Sequence, residues 1–387
     1  MVDFTNTKVA FNTKTNSELE RAYFLFKMIS IKPLVKIGTS LTNFALKTNL
    51  PIKGLIRSTV FDHFCGGISI IDCKPKINQM YKSNVYCVLD YSVEGKQTES
   101  QFDLITKKTL DLLDFAADNK SIPFTVFKPT AVGCFEIYKK ISKSEDLNND
   151  EFNKWNRIKD RFHSICRYAQ KKNIPVLIDA EESWIQKAVD NLTEELMKVY
   201  NKDKVIIFNT LQAYRWDRYQ YLIDLHKNAM IIGFKIGIKL VRGAYMEKER
   251  TRAQIKGYKS PICQTKVETD KNFNKCLIYI INKLDDINLF LGTHNEASTL
   301  KAVRLLNSIG VKNNNTKIWF GQLYGMSDHI SFNLAENDFN VSKYLPYGPV
   351  KDVMPYLIRR AEENTSVSGH TSRELELIKT EKNRRGI

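Results

Sequence analysis

Eight short apolar runs, separated by longer amphipathic stretches from about residue 85 onward, predict an α/β chain folded as a (β/α)8 TIM-like barrel with an N-terminal helical region. Two further observations point the same way. No G-x-G-x-x-G or G-x-x-x-x-G-K-[ST] turn occurs, so the glycine-rich phosphate loop of a doubly wound sheet is missing. Several runs also end in polar residues, at the edge where barrels hold their active sites.

Residues 17–80 read mainly as helices. Ser17 and Glu20 form a capping-box pattern ahead of the apolar stretch Ala22–Phe26, and Gly66-Gly67 marks a sharp turn after the last of these helices. The expected strands are Tyr86–Tyr91, Phe124–Pro129, Val176–Asp179, Val205–Thr210, Gly237–Val241, Leu289–Thr293, Ile318–Gly321 and Ser342–Tyr344. The expected division is a helical region over 1–80, a barrel over 81–366 and a C-terminal basic tail or helix over 367–387. The longest apolar stretches, Ile287–Leu291 and Met230–Phe234, read as buried strands or core pieces. None approaches the ~18 residues that would span a bilayer.

Strand alternation assigns faces at the rim. Ile238 and Leu240 are expected to pack outward on helices, leaving Lys239 and Val241 at the barrel mouth, and Asp179 points inward with Leu177. A lone lysine or aspartate at a strand end is ordinarily a turn or surface group. Lys128, Asp179 and Lys239 sharing one low-dielectric mouth is harder to dismiss, because unpaired charge there is costly. Late in the chain, Pro355 suits the first turn of a helix. Tyr356, Arg359, Arg360 and Glu363 then share one face. Two adjacent guanidiniums beside a tyrosine make a clamp for carboxylate or phosphate. The plain alternative is a solvated face with Arg359 and Glu363 paired.

The formal net charge is +16, from 59 basic and 43 acidic side chains. Spread along the chain, it reads first as a lysine-rich surface, and it favours anionic partners. Lys27, Lys32, Lys36, Lys47, Lys53 and Arg57 make one basic N-terminal stretch. The seven cysteines are scattered without a C-x-x-C pair, which predicts a reducing compartment. The start lacks the pattern of a secretory signal, and Asp3, Glu18 and Glu20 lie before or beside the first arginine, Arg21, which argues against a mitochondrial transit peptide. Cytoplasm is the expectation. The six histidines form no metal motif, and no G-x-S-x-G elbow occurs.

These residues fall into blocks with a familiar order. Val126-Phe-Lys128-Pro-Thr-Ala, Leu177-Ile-Asp179-Ala-Glu-Glu182, Gln212-Ala-Tyr214, Lys239-Leu-Val-Arg-Gly-Ala-Tyr245, Thr293-His-Asn295, Phe320-Gly-Gln-Leu323 and Tyr356-Leu-Ile-Arg359-Arg360-Ala-Glu-Glu363 resemble the proline dehydrogenase family over about residues 85–366. The resemblance implies a distorted (β/α)8 barrel holding FAD, oxidation of L-proline to Δ1-pyrroline-5-carboxylate, and electrons passed on to a membrane quinone. On that basis Arg359 and Arg360 would clamp the proline carboxylate, and Lys128, Asp179, Tyr245, Leu323, Tyr344 and Tyr356 would shape the pocket. Gln212, Lys239, Val241, Ala244, Thr293, His294, Asn295 and Glu363 would serve the flavin, with Glu363 and Lys128 also balancing the pocket's charge. Lys128, Asp179 and Lys239 would be the catalytic set. Tyr344 is the residue that the family's hydroxyproline-preferring branch lacks.

Two positions depart from some relatives. Lysine at 239 stands where many bacterial bifunctional members have arginine, and Gly321 stands where some place a cofactor-binding glutamine, so that this contact is either missing or replaced by Gln322. The acceptor gives the basic balance a use, as a peripheral contact with anionic lipid on the inner face of a bacterial-type cell membrane, the N-terminal helical region being the candidate. Alternatives are hydroxyproline oxidation, a lysine Schiff-base barrel using Lys128 or Lys239 as amine, and a basic nucleic-acid binder, which has the charge but no recognition motif.

Overall fold

The computed structural model describes residues 2–31, 60–92, 97–366 and 370–387, with side chains outside 361–371. Its strands are β1 (Val85–Tyr91), β2 (Phe124–Phe127), β3 (Val176–Ile178), β4 (Ile207–Gln212), β5 (Ile236–Val241), β6 (Ile287–Gly292), β7 (Ile318–Leu323) and β8 (Val341–Tyr347). They form a closed barrel in the order β1-β2-β3-β4-β5-β6-β7-β8. Each expected apolar run is a strand, with boundaries moved by the pairing. β4 starts two residues later than expected and extends to Gln212, in register with Val241 of β5. β8 runs longer at both ends because it lies in parallel register with β1 from Val85↔Val341 to Tyr91↔Tyr347.

The chain divides into two compact units, Gly95–Phe320 and the remaining residues. Within Gly95–Phe320 the register runs unbroken from β2 to β6, through Val126↔Leu177, Leu177↔Phe208, Phe208↔Gly237 and Gly237↔Asn288. Barrel interiors are filled in layers contributed by alternate strands. Here Phe124 of β2 meets Phe208 of β4 and Phe290 of β6 edge-on, at centroid distances of 5.6 and 5.3 Å. Gly237 makes room for this plug, because a Cβ there would sit 2.7 Å from Cγ of Phe208. Met230–Phe234 is not a core piece. Met230, Ile231 and Ile232 end the helix Arg218–Ile232 and are exposed, Ile231 by 83%, while Phe234 is buried after the αL glycine cap Gly233. Apolar composition here reflects a helix end in solvent.

In the other unit, the helix Asn16–Ile29 is capped two residues before the expected position. Thr15 is the N-cap, its side chain accepting from the Glu18 amide while the Glu18 carboxylate accepts from the Thr15 N–H at 2.8 Å. Two overlapping patterns compete, and the extended backbone of Thr15 selects the first. Gly66-Gly67 precedes the helix Ile70–Tyr81 instead of following the last helix. It runs alongside the end of β8, Gly66 N–H donating to Pro346 O at 2.7 Å and Gly67 bridging Tyr347. That donor completes a strand whose proline has none to give. Pro355 lies inside the helix Val350–Ser366, not in its first turn. The helix begins after Pro349, whose carbonyl accepts from Asp352 and Val353. The basic stretch Lys32–Arg57 lies outside the described residues.

A buried ion cluster ties this unit together. The Lys343 side chain on β8 is fully buried; its Nζ donates to Asp328 Oδ1 at 2.8 Å and to the Met326 carbonyl at 2.5 Å. Lys14 reaches the other Asp328 oxygen at 3.0 Å. Burial opposes ionisation of Asp328, yet the two ammonium groups hold its carboxyl far below the usual carboxylate range. A depressed carboxyl stabilises the fold above its unfolded pKa and loses that contribution only as pH falls toward the depressed value. Asp328→Asn leaves the buried Lys343 and the half-buried Lys14 facing a neutral amide and should cost about 3–5 kcal/mol. Urea unfolding at pH 7 checks this, and a cost below 1 kcal/mol would contradict it.

Candidate active site

Continuing the observed strand register by one residue puts Lys128, Asp179, Thr210, Lys239 and Phe290 on one row. Phe127 pairs with Ile178, Ile178 with Asn209, Thr210 with Lys239 and Lys239 with Phe290. Residues level on adjacent strands point to one face, so the row faces the same way as the aromatic plug, with which it shares Phe290. Asp179 and Lys239 are two strands apart, within reach of a lysine chain across the small Thr210. Lys239 Nζ meets Asp179 Oδ1 at 2.5 Å, with the lysine side chain buried. Thr210 turns its hydroxyl aside, onto the Ile178 carbonyl at 2.7 Å. Lys128 is half-buried at the N-cap of the short helix Pro129–Val132.

The loops above this row are cross-braced. Glu181, which the sequence reading passed over, is buried and accepts from the Thr130 N–H at 2.9 Å and the Thr130 hydroxyl at 2.6 Å. Its own N–H donates to Gln186 Oε1 at 2.9 Å, and its carbonyl accepts from Gln212 Nε2 at 2.7 Å. Burial pushes the Glu181 carboxyl up to about 7, against the Thr130 hydrogen bonds, which favour the ionised form. Its only sequence signal was its place beside Asp179. Arg242, beyond β5, was also missed. It pairs with Asp270 at 2.8 Å and reaches Thr293 Oγ1 at 3.0 Å. Thr293 also accepts from the Asn295 N–H, and Asn295 caps the helix Glu296–Ser308 through Ser298. Gln212 and Thr293 are buried, and Val241, His294, Asn295 and Tyr245 are half-buried, whereas Ala244 is exposed.

The other unit holds the remaining candidates. Leu323 ends β7 and is half-buried, and Tyr344 of β8 is buried, its carbonyl accepting from the Tyr324 N–H at 2.8 Å. On the helix Val350–Ser366, Tyr356 packs into a core with Leu25, Phe61, Phe64 and Met326. Arg360 is 8% exposed and lies over the Tyr356 ring, with Cζ 5.1 Å from its centroid. Arg359 is half-buried one position before it. The two guanidiniums are therefore not a fully solvated face. The Glu363 side chain lies outside the described residues. Gln322 is buried and accepts from the Ser331 hydroxyl at 2.9 Å.

A sequence model described as proline dehydrogenase matches residues 73–373, a span that includes every residue named above for the site. The chain belongs to the proline dehydrogenase family. Among its relatives, the carbapenem antibiotics biosynthesis protein CarD of Pectobacterium carotovorum is 37% identical over 90% of this chain and 91% of its own. Proline dehydrogenase 2, mitochondrial, of Arabidopsis thaliana is 31% identical over 99% of this chain and 90% of its own. The hydroxyproline dehydrogenase of Xenopus laevis is 29% identical over 97% and 88%. Among solved structures, proline utilization A from Bdellovibrio bacteriovorus inactivated by N-propargylglycine superposes with a TM-score of 0.73 at 20% identity, over 97% of this chain. The chain spans 38% of that protein's length, and at this identity the likeness concerns the barrel alone. Proline dehydrogenases are oxidoreductases, and that class holds for this chain. No helix among the described residues is long and apolar enough to cross a membrane.

For this proline dehydrogenase family member, the donor set at the rim fits a flavin. Gln212, Lys239, Thr293, His294 and Asn295 bring amide, ammonium, hydroxyl and imidazole groups, with the Asp179 carboxylate held against Lys239. Such a set matches a ligand whose polar edge is carbonyl and phosphate oxygen. The Asp179–Lys239 pair is the energetic hinge of the row. Asp179→Ala deprives a buried ammonium of this carboxylate and should cost about 2–3 kcal/mol. The double variant Asp179→Ala/Lys239→Met should recover a large part, a coupling that a denaturant double-mutant cycle measures. Additive costs would contradict it.

Proposed function

We propose that this protein oxidises L-proline to Δ1-pyrroline-5-carboxylate, with FAD as the immediate acceptor and a membrane quinone as the final one. The observation that supports this most is the unbroken family match across residues 73–373, joined to a rim where Lys239 and Asp179 pair at 2.5 Å. When bound, FAD supplies the two-electron acceptor for the hydride leaving the ring carbon next to nitrogen.

The chain's own residues do the rest. Arg359 and Arg360 hold the proline carboxylate, since a planar guanidinium offers parallel N–H donors in the geometry of a carboxylate. Tyr356 stiffens Arg360 by lying under it, with the centroid 5.1 Å from Cζ. Leu323, Tyr344, Tyr356 and Tyr245 give the apolar and aromatic wall that a five-membered ring requires. Lys128 and Asp179 place one charge of each sign at the substrate. Lys239, Gln212, Val241, Ala244, Thr293, His294, Asn295 and Glu363 would hold the flavin, with Lys239 supplying a cation to it.

The electron route to a quinone calls for a membrane contact. The proposed location is the cytoplasmic face of a cell membrane, held peripherally by the basic surface. Anionic headgroups attract each nearby Lys or Arg by about 1 kcal/mol. Salt-sensitive flotation with anionic liposomes is expected, and no flotation at low salt would count against it.

The deciding experiment is the visible spectrum of the purified protein with and without L-proline. A yellow chromophore bleached by L-proline under anaerobic conditions is expected, with trans-4-hydroxy-L-proline much slower because Tyr344 is present. Bleaching by hydroxyproline alone would move the substrate to that class, and a folded, colourless protein that FAD does not reconstitute would remove the proposal. Arg359→Met and Arg360→Met should each raise the proline KM by about 10-fold or more while leaving bound flavin unchanged.

A further inference from the structure

Between Lys128 on the β2 rim and Asp179 on the β3 rim, the loops touch through one carboxylate. Glu181 takes both donors of Thr130, the backbone N–H at 2.9 Å and the hydroxyl at 2.6 Å, and Thr130 lies two residues beyond Lys128. The Glu181 backbone is pinned separately, by Gln186 Oε1 at 2.9 Å and Gln212 Nε2 at 2.7 Å. Its side chain can therefore change without releasing the β3 loop; the segment it holds is Lys128–Thr130.

We propose that Glu181 is a positioning residue that fixes Lys128 relative to Asp179 by clamping Thr130, and so sets the affinity for substrate without touching it. This rests on the reading that Lys128 and Asp179 serve proline. Here two donors from one residue are matched by an ionised carboxylate, which accepts both at once.

The clamp has a built-in proton dependence. Burial raises the Glu181 carboxyl to about 7, with Glu182 beside it adding to the rise, while the Thr130 donors and the Lys128 cation oppose it. Tyr138, on the helix Phe135–Ser142, is the other titratable group facing it, and burial keeps that phenol protonated. As pH rises through 7 the carboxylate forms and the clamp closes. As pH falls, one oxygen becomes a hydroxyl and one Thr130 bond is lost.

The test is Glu181→Gln in the flavin-loaded protein, with Thr130→Val as the second variant. At pH 8, E181Q should raise the proline KM about tenfold, with kcat within twofold and flavin content unchanged. The wild-type KM should rise on going from pH 8 to pH 6, and E181Q should flatten that slope. T130V should give a smaller rise, and it keeps the carboxylate where E181Q does not. Independently of activity, hydrogen exchange of the Thr130 amide should quicken in E181Q while amides of β3 keep their protection. Wild-type KM and wild-type exchange in E181Q would overturn the proposal, as would faster exchange with an unaltered KM. If wild-type protein exchanges as expected yet never oxidises proline, the substrate reading fails and the clamp on Thr130 stands on its exchange data.

Discussion

The rim of this protein depends on a parallel ladder kept in register. Lys128, Asp179 and Lys239 are far apart in sequence, and nothing local brings them together. They meet because β2, β3, β4 and β5 pair without a slip, from Phe127↔Ile178 through Ile178↔Asn209 to Thr210↔Lys239. A one-residue slip in any strand would turn its whole inward set outward. The aromatic plug of Phe124, Phe208 and Phe290 enforces that register from below, and Gly237 is the concession that lets Phe208 fit. The same packing that stabilises the barrel thus aims the polar row.

Charge buried on such a frame must be compensated at once. Lys239 has Asp179, Glu181 has Thr130, and Lys343 has Asp328 with Lys14. Removing one partner of such a pair costs more than the pair contributes, because the survivor stays buried. The clusters differ in purpose all the same. Lys343 holds the Met326 carbonyl and thereby the turn after β7, a structural task. Asp179 and Lys239 lie in the inward-facing row, where a ligand can use the charges the fold has already paired.

Much of this was legible in the sequence, and the exceptions have physical causes. Strands read correctly because apolar runs of the right length have few other fates in an α/β chain, and strand parity sent Asp179 and Lys239 to one side. The helix cap was misplaced because Thr15-x-x-Glu18 and Ser17-x-x-Glu20 satisfy the same pattern, and only the backbone's point of entry chooses between them. Met230–Ile232 looked like core because composition carries no information on which end of a helix faces water. Pro355 was read as a helix start because its missing N–H costs least there, but tertiary packing of Val353, Met354, Tyr356 and Leu357 carries the helix through it. Lys343 and Asp328 gave no signal at all. Their third member, Lys14, is distant in sequence, and long-range ion pairs leave no local trace.

The net charge of +16 has to be explained apart from the substrate. Proline at neutral pH is a zwitterion with no net charge, so a basic surface does nothing to steer it. On the proposed function its carboxylate is read at short range by groups already oriented, and Arg360 is buried and stacked on Tyr356. At the rim, Lys239 is matched by Asp179 and Arg242 by Asp270. On the proposed function, substrate selection and surface charge answer to different partners: a small dipolar molecule recognised by geometry, and an extended anionic surface recognised by summed field.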